Sequence, residues 1–394
     1  MIAIFADTDK MKLRFFSFFL ALVFSLETAA ALEYLRFVHN GREQNEEGQI
    51  LGEDQRGLDF QARDGQAYHI PWENLITRRS DDTPFVPYTK AEVIERLRQE
   101  FPANQGYNFL DPHAYGSFVI VYTTSRDFAN WYGRLLQRLH EQYSAHWKRH
   151  GVELSTPEYP MVAIVFADER SFRQYAQREG VNILREQCAY YHKLTNRIVV
   201  YDMSGMQAQQ AGNQRRIPFN IQRFLAQPNA PDNIRAVIHE AVHQVGFSTG
   251  MHPRFVSNPF WVYEGLAVFH EVPDPRNRDI GWTLGPHLNQ PRLHHLRQFL
   301  PRQHESPIIK MLQEDELFSM PATALDNYAL AWGVFYFLER RRPKELAAYL
   351  KVLQEKTVNS EDTAEIRIKD FESCFGSDWD KFDREFLDFI RRLN

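Results

Sequence analysis

The chain has 394 residues, enough for one large domain and a small appendage. Its 46 Lys and Arg against 51 Asp and Glu give a net charge of −5 with both signs interspersed, which argues against nucleic acid and against a polybasic membrane-binding surface. The densest basic run, Arg340-Arg341-Arg342, ends an expected helix just before Pro343, where cations favour the helix dipole.

The N-terminus reads as an export signal. Lys10, Lys12 and Arg14 precede an apolar run from Phe15 to Leu26, and Ala29-Ala30-Ala31 offers small residues for cleavage after Ala31. The run has 12 residues, short of the roughly 20 that a membrane span needs. Asp7 and Asp9 are unusual in a signal, so Met11 is an alternative start. No Cys follows the run to anchor a lipoprotein. The protein is therefore expected to be periplasmic or secreted, with residues 1–31 removed. Cys188 and Cys374 would meet an oxidising compartment and could pair or stay as free thiols.

Residues 32–85 alternate apolar and polar positions in short runs, Tyr34 to Val38, Leu58 to Phe60 and Ala67 to Ile70, punctuated by Asn40-Gly41, Glu47-Gly48 and Asp64-Gly65. That pattern predicts a small antiparallel β module. Residues 86–115 read as a linker with one helix, opened by the capping box Thr89 and Glu92 and running to about Phe101.

Residues 116–394 form a second domain of α+β class, with a mixed sheet and a mainly helical C-terminal half. A strand to Tyr122 is followed by a long helix from about Phe128 to His150, a strand from Met161 to Phe166, and strands Ala189 to His192 and Arg197 to Tyr201. The last pair is either an ordinary core hairpin or an edge that adds an extended peptide to the sheet. Ser204 to Asn213, rich in Gly and Gln, reads as a loop. Further helices are expected near His287–Leu300, Ala324–Arg341, Pro343–Gln354, Thr363–Phe375 and Trp379–Leu393. His287, His294, His295 and His304 read as a solvated surface, since His294 and His295 point to different helix faces.

The chemistry concentrates in His239-Glu240-Ala241-Val242-His243 and in Glu264. Pro231-Asp232 offers a helix start, and Ile234, Val237, Ile238, Ala241 and Val242 supply its apolar stripe. Residues four apart share one helix face, so both imidazoles can point at one ion while Glu240 faces the open coordination position as a general base. A second helix from about Pro259 to Glu271 carries Glu264 beside Gly265 and Ala267, small residues that let helices approach closely. Two His and one Glu leave a tetrahedral zinc one open site, as in thermolysin-type hydrolases. Without a metal, Glu240 and Glu264 would be solvated charges and the two His satisfied polar residues.

Around these residues the chain resembles a family of secreted bacterial proteins of unassigned function whose catalytic-looking domain is similar to the gluzincin zinc metallopeptidases. The likeness rests on Ala236 to Gln244, on Thr249 to Phe255, and on Asn258-Pro259-Phe260-Trp261 leading into Glu264-Gly265-Leu266-Ala267. It extends more loosely to Tyr190-Tyr191, Asn196 to Asp202 and Tyr328 to Trp332. It implies one Zn2+ per chain held by His239, His243 and Glu264, Glu240 activating water for attack on a carbonyl, and a peptide or protein substrate. Tyr328 matches the place of the tyrosine that steadies the oxyanion, although a core tyrosine with a satisfied hydroxyl reads equally well. Many gluzincins carry Asp four residues after the third ligand to support a ligand His, and here that position is Val268. The partner of His239 is left unidentified, and with it an alternative stays open: an envelope binding or structural protein with an inert zinc site. Arg254 either holds a substrate carboxylate or ties down its loop. His252 and His270 read as supporting residues rather than ligands.

Overall fold

The computed structural model describes residues 31–101, 110–184, 187–204, 219–285, 287–303, 305–357 and 360–394. The export signal, the expected loop beyond Ser204 and His304 lie outside the described residues.

Near the N-terminus, β1 (Ala31–His39), β2 (Arg42–Glu53), β3 (Gly57–Ala62), β4 (Ala67–Pro71) and β5 (Leu75–Pro84) pair antiparallel in the order β4-β3-β2-β1-β5. Phe37, Leu58, Phe60 and Ile70 fill its buried face. Asn40 and Gly41, with φ of 50° and 72°, make the first turn as expected. Glu47-Gly48 does not turn: it lies inside β2. A Cβ on Gly48 would come within 2.1 Å of the Gln61 carbonyl oxygen, so glycine serves close strand approach there. The chain turns instead at Asp54, whose carboxylate accepts the N–H groups of Arg56 at 2.8 Å and Gly57 at 3.2 Å.

The linker helix α1 (Lys90–Glu100) opens on the expected Thr89–Glu92 box. It joins the two units through charge: Arg96 donates to Glu46 in β2 at 2.8 Å, and Glu100 accepts from Arg197 at 2.7 Å.

The second sheet has β6 (Leu110–Tyr115), β7 (Phe118–Tyr122), β8 (Met161–Phe166), β9 (Ala189–His192) and β10 (Arg197–Tyr201), in the order β6-β7-β8-β10-β9. Strands β7, β8 and β10 run parallel, and the edges β6 and β9 run antiparallel. The central strands are apolar at almost every position because both faces are covered. One face packs on α1 and α3 (Glu169–Arg178), the other on α2 (Arg126–Arg149), capped by Ser125.

Below that second face lies the helical half: α4 (Ile221–Leu225), α5 (Ala230–Ser248), α6 (Phe260–His270), α7 (Gln290–Phe299), α8 (Pro307–Gln313), α9 (Ala324–Arg341), α10 (Pro343–Gln354), α11 (Ala364–Phe375) and α12 (Trp379–Arg392). Gly265 does allow close approach, but to α9: a Cβ there would lie 2.9 Å from the Ala331 carbonyl oxygen. Among the described residues no helix is long and apolar enough to cross a membrane. Cys188 and Cys374 are both free thiols.

Candidate metal centre

Helix α5 is fixed in rotation before it presents anything to the site. Gln244, fully buried, donates from Nε2 to the carbonyls of Val162 in β8 at 3.0 Å and Asn196 at 2.7 Å. Asn196 sits in the β9–β10 turn at φ 56° and accepts the Tyr191 hydroxyl at 2.9 Å. One turn before Gln244 and beside it, His239 and His243 project together, 3% and 2% exposed, with ring centroids 4.9 Å apart.

Helix α6 brings Glu264, at 0% exposure, against both rings. His239 Nε2 is 3.1 Å from Glu264 Oε2, and His243 Nε2 is 3.6 Å from Oε1. His239 Nε2 and both Glu264 oxygens lack a hydrogen bond of standard geometry among the described residues. Buried polar atoms without such bonds are costly, and a shared cation removes the cost. The spacing fits one: ligand atoms about 2.05 Å from a tetrahedral zinc lie roughly 3.4 Å from one another.

The partner that the sequence left unidentified is Glu271. Its Oε2 accepts from His239 Nδ1 at 2.8 Å, so Nδ1 carries a proton and Nε2 is the atom turned toward Glu264. Glu271 Oε1 accepts from Asn289 at 3.2 Å, with Arg235 Nε at 3.8 Å and Arg292 Nε at 4.0 Å. Glu271, the C-cap of α6, lies seven positions after Glu264, two helical turns, so both lie on one side of the helix. That spacing was the available signal. Val268, fully buried, belongs to the apolar core.

Electrostatics follow from this enclosure. Burial disfavours charge on His239, but the close approach and charge of Glu264, with the hydrogen bond and charge of Glu271, outweigh it and hold its pKa up at about 10. Burial and the neighbouring His239 push His243 well below its usual value. Burial raises Glu264, against the pull of His239, whereas His239, Arg292 and Arg235 hold Glu271 low despite its burial. The proton on His239 occupies the place between carboxylates that a dication would take.

Glu240, one step around α5, is pushed up to about 7 by burial and by Glu264, with His239 opposing. Its Oε2 accepts the Tyr191 backbone N–H of edge strand β9 at 2.9 Å. Tyr328 projects from α9 with its ring centroid 6.5 Å from that of His239. Burial, then the charges of Glu264 and Glu240, keep its phenol protonated, and Arg292 lies over its ring at 5.5 Å. His239 and Glu240 open onto a cavity of about 360 Å³ whose walls include Cys188, Ala189, Asp232, Arg292, His295 and Leu325. That volume suits a few side chains of a substrate.

Arg254 is half-buried and donates to the carbonyls of Lys193 at 2.6 Å, Leu194 at 2.6 Å and Gly65 at 2.5 Å. It ties its loop to the β9–β10 turn and to the N-terminal module, outside the cavity wall. His252 and His270 are buried near the centre and are not among its ligand set. His287, His294 and His295 bond to Asp274, Gln298 and Asp326 separately and form no metal group among the described residues.

Residues 233–358 match a family described as protein of unknown function (DUF1570). The match spans α5, α6 and α9 and so contains every residue of the centre. No curated protein matches the chain.

Proposed function

We propose that the chain is an exported zinc-dependent hydrolase of the gluzincin type that cleaves peptide bonds. His239, His243 and Glu264 would hold one Zn2+, and Glu240 would act as general base. The observation that carries this reading is the meeting of two imidazole Nε2 atoms with the Glu264 carboxylate inside the core, beside a second carboxylate, Glu240, that lines the same cavity as His239. The donor set is nitrogen and oxygen, three protein ligands that would leave a tetrahedral zinc one position to fill, which suits catalytic zinc. When bound, zinc supplies Lewis acidity, polarising a carbonyl and lowering the pKa of water to about 7.

The chain's own groups then have separable tasks. Glu240 takes a proton from water at the cavity and returns it to the leaving amine. Tyr328, protonated and rigidly packed, donates to the oxygen on which negative charge develops. Glu271 keeps His239 in the tautomer that offers Nε2. Among the described residues strand β9 has a neighbouring strand on one side only, and its first residue, Ala189, borders the cavity, so an extended peptide can align along that edge. The alternative of an inert site rested on Val268, and Glu271 performs the task that position was expected to have.

Metal removal tests the reading. Peptide hydrolysis should vanish on chelation, return with zinc, and stay absent in His243→Ala. Hydrolysis undiminished by chelation would sink it.

A further inference from the structure

We infer that the chain holds a second zinc-class ion, at a site formed by His146, His150 and Glu339, which clamps the end of α2 to α9. His146 lies in the last turn of α2 and His150 is the residue that caps it, four positions on, so the two rings share one face. Their centroids are 4.2 Å apart. Glu339, near the end of α9, directs Oε1 at both: His146 Nε2 and His150 Nε2 are each 3.5 Å away. One ligand atom from each residue falls within 4.8 Å of the other two.

The geometry is that of ligands and not of hydrogen bonds. His150 Nδ1 lies 2.9 Å from the His146 carbonyl oxygen, which can only accept, so Nδ1 carries a proton and Nε2 is the atom turned toward the carboxylate. Two imidazole nitrogens that converge on one carboxylate oxygen need a proton or a metal ion between them, and one metal ion serves both at once. His146 is 8% exposed, and its Nε2 has no hydrogen-bond partner among the described residues. Two adjacent rings in this contact would repel if both were imidazolium. The separations of 3.5 Å match the roughly 3.4 Å edge of a tetrahedron about zinc. A carbonyl holding the far nitrogen of a ligand His is the usual outer support of such a site.

Arg340 Nε, 3.0 Å from Glu339 Oε2, pairs with the other carboxylate oxygen and leaves Oε1 to the imidazoles. His150 is the most exposed of the three, with 24% of its side chain open to solvent, so the ion enters there and a water completes its shell. Phe269 and His270 at the end of α6 pack on His146, with centroids 5.9 Å and 6.1 Å away. The clamp therefore braces the far end of the helix that carries Glu264. Its task is structural, since the first site's cavity does not include its residues.

The test is zinc content after loading with zinc chloride and exhaustive dialysis, on wild type, His243→Ala, His150→Ala, Glu339→Gln and the double variant His150→Ala/His243→Ala. The expected contents are about two ions per chain for wild type, one for each single variant and none for the double. Circular dichroism shows which variants fold, and Glu339→Gln, nearly isosteric, serves if His150→Ala does not. In His243→Ala, added zinc should also raise the melting temperature by several degrees. His243→Ala without zinc, or His150→Ala and Glu339→Gln with the wild-type content, would overturn the inference. The two sites fail separately: zinc lost only in His150→Ala would contradict the proposed hydrolase, and zinc lost only in His243→Ala would contradict the clamp.

Discussion

Removing Glu271 should weaken zinc binding without touching a ligand. Glu271 holds His239 through a 2.8 Å hydrogen bond between groups that are 3% and 4% exposed in their side chains, so little water can replace it. In Glu271→Ala the Nδ1–H of His239 loses its acceptor, the ring is free to turn, and Nε2 loses the electron density that the carboxylate lends. Loss of such an outer partner costs metal sites about 10- to 100-fold in affinity, or roughly 1.4–2.7 kcal/mol. Arg235 and Arg292 also lose a neighbour, but with 22% and 15% of their side chains exposed they can turn to solvent. Glu271→Gln keeps an accepting oxygen and loses only the charge, so its decrease should be smaller, near tenfold. The assay is competition against a chromophoric chelator in a His150→Ala background, which silences the second site, with thermal melts to verify folding. A folded Glu271→Ala chain that binds zinc within about threefold of its parent would refute the reasoning.

Other consequences are separable from that one. Tyr328→Phe should lower kcat for peptide hydrolysis by about 100-fold with little change in KM; an unchanged kcat would assign the hydroxyl to packing. Arg254→Ala should cost about 3 kcal/mol in urea unfolding and expose the N-terminal module to limited proteolysis, because three half-buried bonds from one charged donor are lost together; an unaltered digestion pattern would contradict the strut. His192 is held down at about 4 by burial, with Arg254 and Arg197 adding to it, against 6.5 when solvated. A depressed base contributes stability that is complete above 6.5 and is lost as pH falls toward 4, here about 3 kcal/mol. The fall in urea midpoint between pH 7.5 and 5 should therefore be smaller in His192→Gln than in wild type, and an equal fall would show that His192 does not contribute.

How much of this was visible beforehand depended on whether the signal was local. His239, Glu240 and His243 share a helix whose apolar stripe is plain, and Glu264 sits on another, so the geometry of the centre followed from periodicity. Strands β9 and β10 and the capping box of α1 were legible for the same reason. Glu271 is not legible from the position four residues after Glu264, which Val268 fills as a core residue; its spacing of seven puts it on the same side of the helix, two turns on. Strand β5, with its run of Arg78, Arg79, Asp81 and Asp82, shows no apolar alternation; it exists because β1 pairs with it and Arg78 bonds to Glu33 and Glu53. Gly48 read as a turn because a glycine needed for close strand approach and one needed for a turn look alike in sequence. The His146–His150 spacing was present, but Glu339 reaches it only because the end of α9 meets the end of α2 in the fold.

The central claim is that Glu240 does proton work at a zinc held beside it. Its most direct test is cleavage of an unbiased peptide library by zinc-loaded wild type and by Glu240→Gln matched in zinc content. The account predicts cleavage by wild type and a loss of about 100-fold or more in the variant. Equal cleavage by the two, or none by zinc-replete wild type, would contradict it.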